Sequence, residues 1–146
     1  LGVWRAVIGA AAVSNPEFVR EAVEKFGSDR IAVGVDAKDG LVRTAGWVKE
    51  ESINYLDFAK SMESLGVKNL IFTDIDTDGT LTGPSFARLK FLLEQVSCSV
   101  TAAGGVSCNA DLQALERMGV PAAIVGKAWY AGALDLEQAV REGGPQ

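Results

Sequence analysis

The sequence predicts an α/β fold of parallel strands, part of a (β/α)8 TIM barrel, on three observations. Short β-branched runs alternate with amphipathic stretches of helical period. The runs are apolar nearly throughout, as in strands buried on both faces. The first and last runs also resemble each other: Val7-Ile8-Gly9-Ala10-Ala11 matches Ile124-Val125-Gly126-Lys127-Ala128, with the glycines 117 positions apart. Spread over four units, that spacing is about 29 residues per unit, an ordinary size for a barrel of about 250 residues built from two similar halves.

Five βα units follow in order. The strand runs are 3–8, 31–35, 70–72, 100–103 and 123–125. In the first helix Asn15 is placed to cap, Pro16 suits the first turn, Phe18, Val19, Ala22, Val23 and Phe26 form one stripe, and Gly27 stops it. The second helix carries Leu56, Ala59, Met62 and Leu65 and ends at Gly66; the third starts near Ser85 and carries Phe86, Leu89, Leu92, Leu93 and Val96. The fourth carries Leu112, Leu115 and Met118 before Gly119, and the last runs from about Asp135 through Leu136, Ala139 and Val140. These stripes read as core-facing surfaces. One connection is long: residues 37–52, with Gly40, Gly46 and Trp47, separate the second strand from its helix, and loops of that length in compact α/β units are more often functional than idle.

The 146 residues, 48% apolar and 23% charged, suffice for one domain with a core, expected to be a single partial barrel over 1–146. At the repeat's unit size, three further units would give roughly 230 residues, so the chain reads as a truncation. No apolar run reaches the roughly 18 residues of a membrane span, and the start lacks a secretory layout, so a cytoplasmic protein without a membrane partner is expected. A net charge of −5 argues against nucleic acid as partner. Two cysteines, Cys98 and Cys108, form neither a disulfide framework nor a paired ligand motif. The absence of histidine excludes Ser-His-Asp and Cys-His nucleophiles and leaves proton transfer to carboxylates, Lys, Tyr or Cys.

Ligands of parallel α/β folds sit at the carboxyl ends of strands. The second strand ends in Gly34-Val35-Asp36-Ala37-Lys38-Asp39-Gly40. There Asp36 is either a general acid whose pKa burial raises, or the cap of the turn at Lys38-Asp39-Gly40. The third strand ends in Thr73-Asp74-Ile75-Asp76-Thr77-Asp78-Gly79-Thr80. Its alternate acids suggest calcium but lack the bidentate Glu of an EF-hand, so no metal is expected. Thr73 and Asp78 are candidates to reach substrate hydroxyls, with a plain Asp78-Gly79 turn as the alternative. Gly104-Gly105 before a helix and Gly126-Lys127 after the last strand suggest an anion held by backbone N–H groups, with tight packing as the alternative. Cys108, near a helix start, has no partner base and reads as a passive small residue.

Together these strings resemble the phosphoribosylformimino-5-aminoimidazole carboxamide ribotide isomerase family of histidine biosynthesis, over essentially the whole chain. The resemblance implies strands 4 to 8 of that barrel, and an Amadori aldose-to-ketose rearrangement that converts ProFAR, a ribonucleotide with a phosphate at each end, to PRFAR. It makes Asp36 the general acid that opens the ribose ring. Thr73 and Asp78 line the ribose, Trp47 closes over the substrate, and Gly104, Gly105, Gly126 and Lys127 hold one phosphate. Only the Gly9-Ala10 part of the opposite phosphate site is present, with Ala10 where many relatives have Ser or Thr. The family's general base, an Asp ending the first strand, has no counterpart here, so little activity is expected of this chain alone. No cofactor is implied. The expected partner is the phosphorylated substrate; the parent enzyme is expected to be monomeric, and a piece with two open sheet edges to self-associate.

Two other readings are kept. One is a non-catalytic, phosphate-binding half-barrel. The other is the cyclase subunit of imidazole glycerol phosphate synthase, whose Ser-Met-Asp and Gly-Gly-Ala-Gly signatures differ from those present. A dual-substrate form also serving tryptophan synthesis typically has Arg before the Gly-Trp, where this chain has Ala45.

Overall fold

The computed structural model describes residues 2–43 and 52–143. Its elements are β1 (Ala6–Ile8), α1 (Ala10–Ser14), α2 (Pro16–Phe26), β2 (Ile31–Ala37), β3 (Leu41–Arg43), β4 (Ser52–Asn54), α3 (Tyr55–Ser64), β5 (Asn69–Asp74), α4 (Phe86–Gln95), β6 (Ser99–Ala103), α5 (Asn109–Arg117), β7 (Ala122–Ile124), α6 (Lys127–Tyr130) and α7 (Leu136–Glu142). Five strands form one parallel sheet in the order β1-β2-β5-β6-β7. Chain order and spatial order coincide, as in a barrel wound in one direction; a doubly wound sheet reverses at a switch point. The barrel is partial and open, with β1 and β7 as its edges.

Alternation along the strands separates two faces. Ile31, Val33, Val35 and Ala37 of β2, Leu70 and Phe72 of β5, and Val100 and Ala102 of β6 are buried beneath the helices. Complete burial of side chains such as Leu70 and Phe72 is worth roughly 1.5–3 kcal/mol each. Val19, Ala59, Met62, Leu89, Leu92 and Leu115 close this core from the helix side, whereas Phe18 and Phe26 of α2 and Leu136 and Val140 of α7, expected on core-facing stripes, are exposed. The other face is open: Val7 is 57% exposed and Ile124 49%.

Helix boundaries follow the local chemistry. The Asn15 side chain accepts from the Phe18 N–H at 3.3 Å, Pro16 takes the first position of α2, and α2 stops at Gly27. Asn54 and Asp135 cap α3 and α7 in the same way. The internal repeat is structural too. Gly9 and Gly126 each end a strand and start a short helix with closely similar backbone angles, φ −96° and ψ −118° against φ −119° and ψ −99°.

Three expectations shift. β1 begins at Ala6 rather than Val3, because its register opens opposite Ile31 and residues before Ala6 have no strand to pair with. β5 runs on through Thr73 and Asp74. The long connection after β2 is framed by an antiparallel pair, β3 with β4, in which Leu41 opposes Asn54.

Candidate active site

At the carboxyl end of the sheet, register aligns Asp36 with Thr73, Thr73 with Ala103, and Ala103 with Ile124. This row lies on the open face. Asp36 is exposed there. The burial expected from its apolar run is not found, because Val35 and Ala37 take the covered face and the pleat turns the residue between them outward.

Beside this row is a cavity of about 300 Å³ that brings together Thr73, Asp78, Gly104, Gly105, Gly126 and Lys127. Ile71, Gly79, Leu81 and Ile124 supply further walls. Asp36 shares the register row and does not line the cavity, and Trp47 lies outside the described residues. Asp78 is positioned from behind: its N–H donates to the Asp74 carbonyl at 3.0 Å, and the Thr77 N–H and hydroxyl donate to the same oxygen. Across the cavity, Lys127 Nζ donates to the Gly79 carbonyl at 2.8 Å and ties α6 to the loop after β5.

The glycines divide by role. A Cβ on Gly104 would lie 3.0 Å from the Asp74 carbonyl oxygen, and one on Gly105 would lie 2.5 Å from the Gly83 carbonyl oxygen. Both have positive φ, +85° and +78°, a region that strains any residue with a Cβ. Close packing therefore suffices to explain glycine at these two positions. At Gly126 nothing lies within 4 Å of where a Cβ would sit, and packing does not explain it.

The sequence did not reveal the group that organises the loop. Asp74, 2% exposed, is on the helix-covered face of β5, where Arg88 Nη1 donates to its Oδ2 at 2.7 Å and to Asp76 Oδ2 at 2.9 Å. The Asp76 N–H donates to Asp74 Oδ1 at 3.1 Å, and Asp76 Oδ2 also accepts from the Asp39 N–H at 2.8 Å. The hydrogen bond from Arg88, then that from Asp39, hold the Asp76 carboxyl below the usual carboxylate range. Two of the three alternating acids, Asp74 and Asp76, thus face one guanidinium. Tyr55 packs on Phe72 with ring centroids 5.3 Å apart and donates its hydroxyl to the Arg88 carbonyl at 3.1 Å; burial raises its pKa. The only signal in the sequence was an arginine on the mostly apolar stretch of α4.

Neither cysteine joins the cavity. Cys98 is buried at the opposite end of β6, its thiol beside Glu63 and the Val67 carbonyl, and burial pushes its pKa up to about 12. Cys108 is half-buried before α5.

Comparison with known proteins bears out the family resemblance. The chain is 48% identical over 141 residues to a 1-(5-phosphoribosyl)-5-((5-phosphoribosylamino)methylideneamino) imidazole-4-carboxamide isomerase of Clostridium novyi, covering 97% of this chain and 59% of that protein. A protein of the same name from Streptococcus thermophilus is 48% identical over 145 residues, covering 99% of this chain and 61% of its own length. One from Alkaliphilus metalliredigens is 50% identical over 136 residues, covering 93% and 57%. The chain thus spans about 60% of the length of the curated relatives it matches. A family model described as "Histidine biosynthesis protein" matches residues 1–135, and the chain belongs to that family.

Proposed function

We propose that the chain carries the acid side and one phosphate side of an isomerase site that converts ProFAR to PRFAR. The observation that carries this reading is the convergence of Thr73, Asp78, Gly126 and Lys127 on one cavity, with Thr73 in register with Asp36, in a chain whose relatives are isomerases by name. Asp36 gives its proton to the ribose ring oxygen as the bond from carbon 1 to that oxygen breaks, and the lone pair of the substrate's amine nitrogen completes a C=N bond. A base then takes the proton from carbon 2, and the resulting enol form tautomerises to the ketose. Thr73 and Asp78 hold ribose hydroxyls. The N–H groups of Gly126 and Lys127 hold a phosphate, which suits an acidic chain because the backbone supplies the donors. General acid and base terms are typically worth 10²- to 10⁴-fold each, and no residue of this chain matches the family's base.

The test is a titration of the chain with inorganic phosphate, followed by amide NMR. Perturbation of the Gly126 and Lys127 amides, weakened several-fold by Lys127→Met through the loosened tie to Gly79, is expected. Perturbation confined to other regions contradicts the phosphate assignment. Phosphate binding together with no turnover, even when a relative's first three βα units are added, supports the non-catalytic phosphate-binding reading instead.

A further inference from the structure

One guanidinium nitrogen behind the sheet is connected to both sides of the candidate site. Arg88 rises from α4 on the covered face, and Nη1 alone donates to Asp74 and to Asp76. From Asp74 the connection runs forward, because its carbonyl accepts from Asp78 and Thr77 and so shapes the turn that places Asp78 at the cavity. From Asp76 it runs sideways. Asp76 Oδ2 takes the Asp39 N–H, three residues beyond Asp36, and the Ile75 N–H donates to the Ala37 carbonyl at 2.9 Å. The loops after β2 and β5 thus meet on one ion-paired cluster.

Asp74 is the sole buried charged side chain among the described residues, at 2% exposed. Such a group survives burial only when paired and hydrogen-bonded. Here the pairing also decides which way the strand end turns.

We propose that Arg88 is the positioning residue of the candidate site: through Asp74 and Asp76 it sets the placement of Asp78 and of the Asp36 loop relative to each other, without lining the cavity. The proposal deepens the isomerase reading and rests on it for its meaning in catalysis, while the coupling itself is measurable without substrate. Both hydrogen bonds come from one nitrogen, so a lysine ammonium is able to replace it, whereas an apolar side chain of similar length is not.

The experiment is amide hydrogen exchange on the full chain, comparing Arg88→Met, Arg88→Lys and Asp76→Ala with the parent. The Asp39 and Asp78 N–H groups are read against the Gly27 and Val120 N–H groups, which bond to carbonyls far from the cluster. Arg88→Met is expected to speed exchange at Asp39 and Asp78 by about tenfold over the two controls, the size of a lost charge-assisted hydrogen bond. Arg88→Lys is expected to restore slow exchange at both. Asp76→Ala, which removes the acceptor of the Asp39 N–H and keeps the Arg88–Asp74 pair, is expected to release Asp39 and leave Asp78 protected, and Arg88→Gln, which keeps a neutral donor without the charge, is read in place of Arg88→Met if that variant does not fold. Unchanged exchange at Asp39 and Asp78 in Arg88→Met, an equal rise at all four amides, or no rescue by lysine overturns the proposal. Inorganic phosphate titrated into the parent chain in parallel separates the two readings, because failure to bind phosphate counts against the site and leaves the exchange result standing.

Discussion

The carbonyl oxygen of Gly83 stands 2.5 Å from the place a Cβ on Gly105 would occupy, and the Gly83 N–H donates back to the Gly105 carbonyl at 3.0 Å. Two loops lock there through backbone alone. Gly105→Ala must push one loop away while holding φ near +78°, at an expected cost of about 2–4 kcal/mol. Gly126→Ala meets open space and should cost under about 1 kcal/mol. Urea unfolding of both variants checks the contrast, and equal losses would show that the packing account is wrong.

The two thiols should differ in reactivity. Burial, then the neighbouring Glu63 carboxylate, raises the Cys98 pKa to about 12, so little thiolate forms at pH 8. Iodoacetamide under native conditions should label Cys108 first and reach Cys98 only on unfolding, as read by peptide mass mapping. The same shift favours the neutral thiol in the folded state, so its contribution to stability is present below the ordinary thiol range and declines as pH rises toward about 12.

Acid should act through the ion-paired loop. Hydrogen bonds from Arg88 and Asp39 lower the Asp76 pKa, and those from Ser97 lower that of Glu63. A carboxyl with a lowered folded pKa stabilises above its unfolded value, about pH 4, and loses that contribution as pH falls through the folded value. Urea midpoints should therefore drop below about pH 4, and Arg88→Met should show a shallower drop because Asp76 then has less to lose. An identical acid slope in the two proteins would remove Arg88 from the account.

The sheet was legible because each parallel strand is a short apolar run closed by Gly or Asp, and Asn15, Pro16 and Gly27 bracket α2 by chemistry that needs no tertiary context. The meeting of Thr73, Asp78, Gly126 and Lys127 at one cavity was readable from position alone, since strand ends converge in this fold. The Arg88 cluster was not legible: Asp74, Asp76 and Arg88 are up to 14 positions apart, and only the turn after β5 brings them together. The exposure of Asp36 was missed for a related reason, because an apolar run does not reveal that one of its faces is uncovered. At Gly104 and Gly105 packing constraints and backbone recognition select the same residue, so glycine there fits both readings.

In the proposed function Asp36 is the acid of an isomerase site, and no residue of this chain matches the family's base. The most direct measurement is ProFAR turnover by the chain alone and after mixing with a separately expressed first three βα units of a relative, with Asp36→Asn in parallel. Little turnover by the chain alone, restored turnover in the mixture, and a loss of about 10²- to 10⁴-fold with Asp36→Asn are expected. Rapid turnover by the lone chain, or full activity of the Asp36→Asn mixture, would contradict this reading.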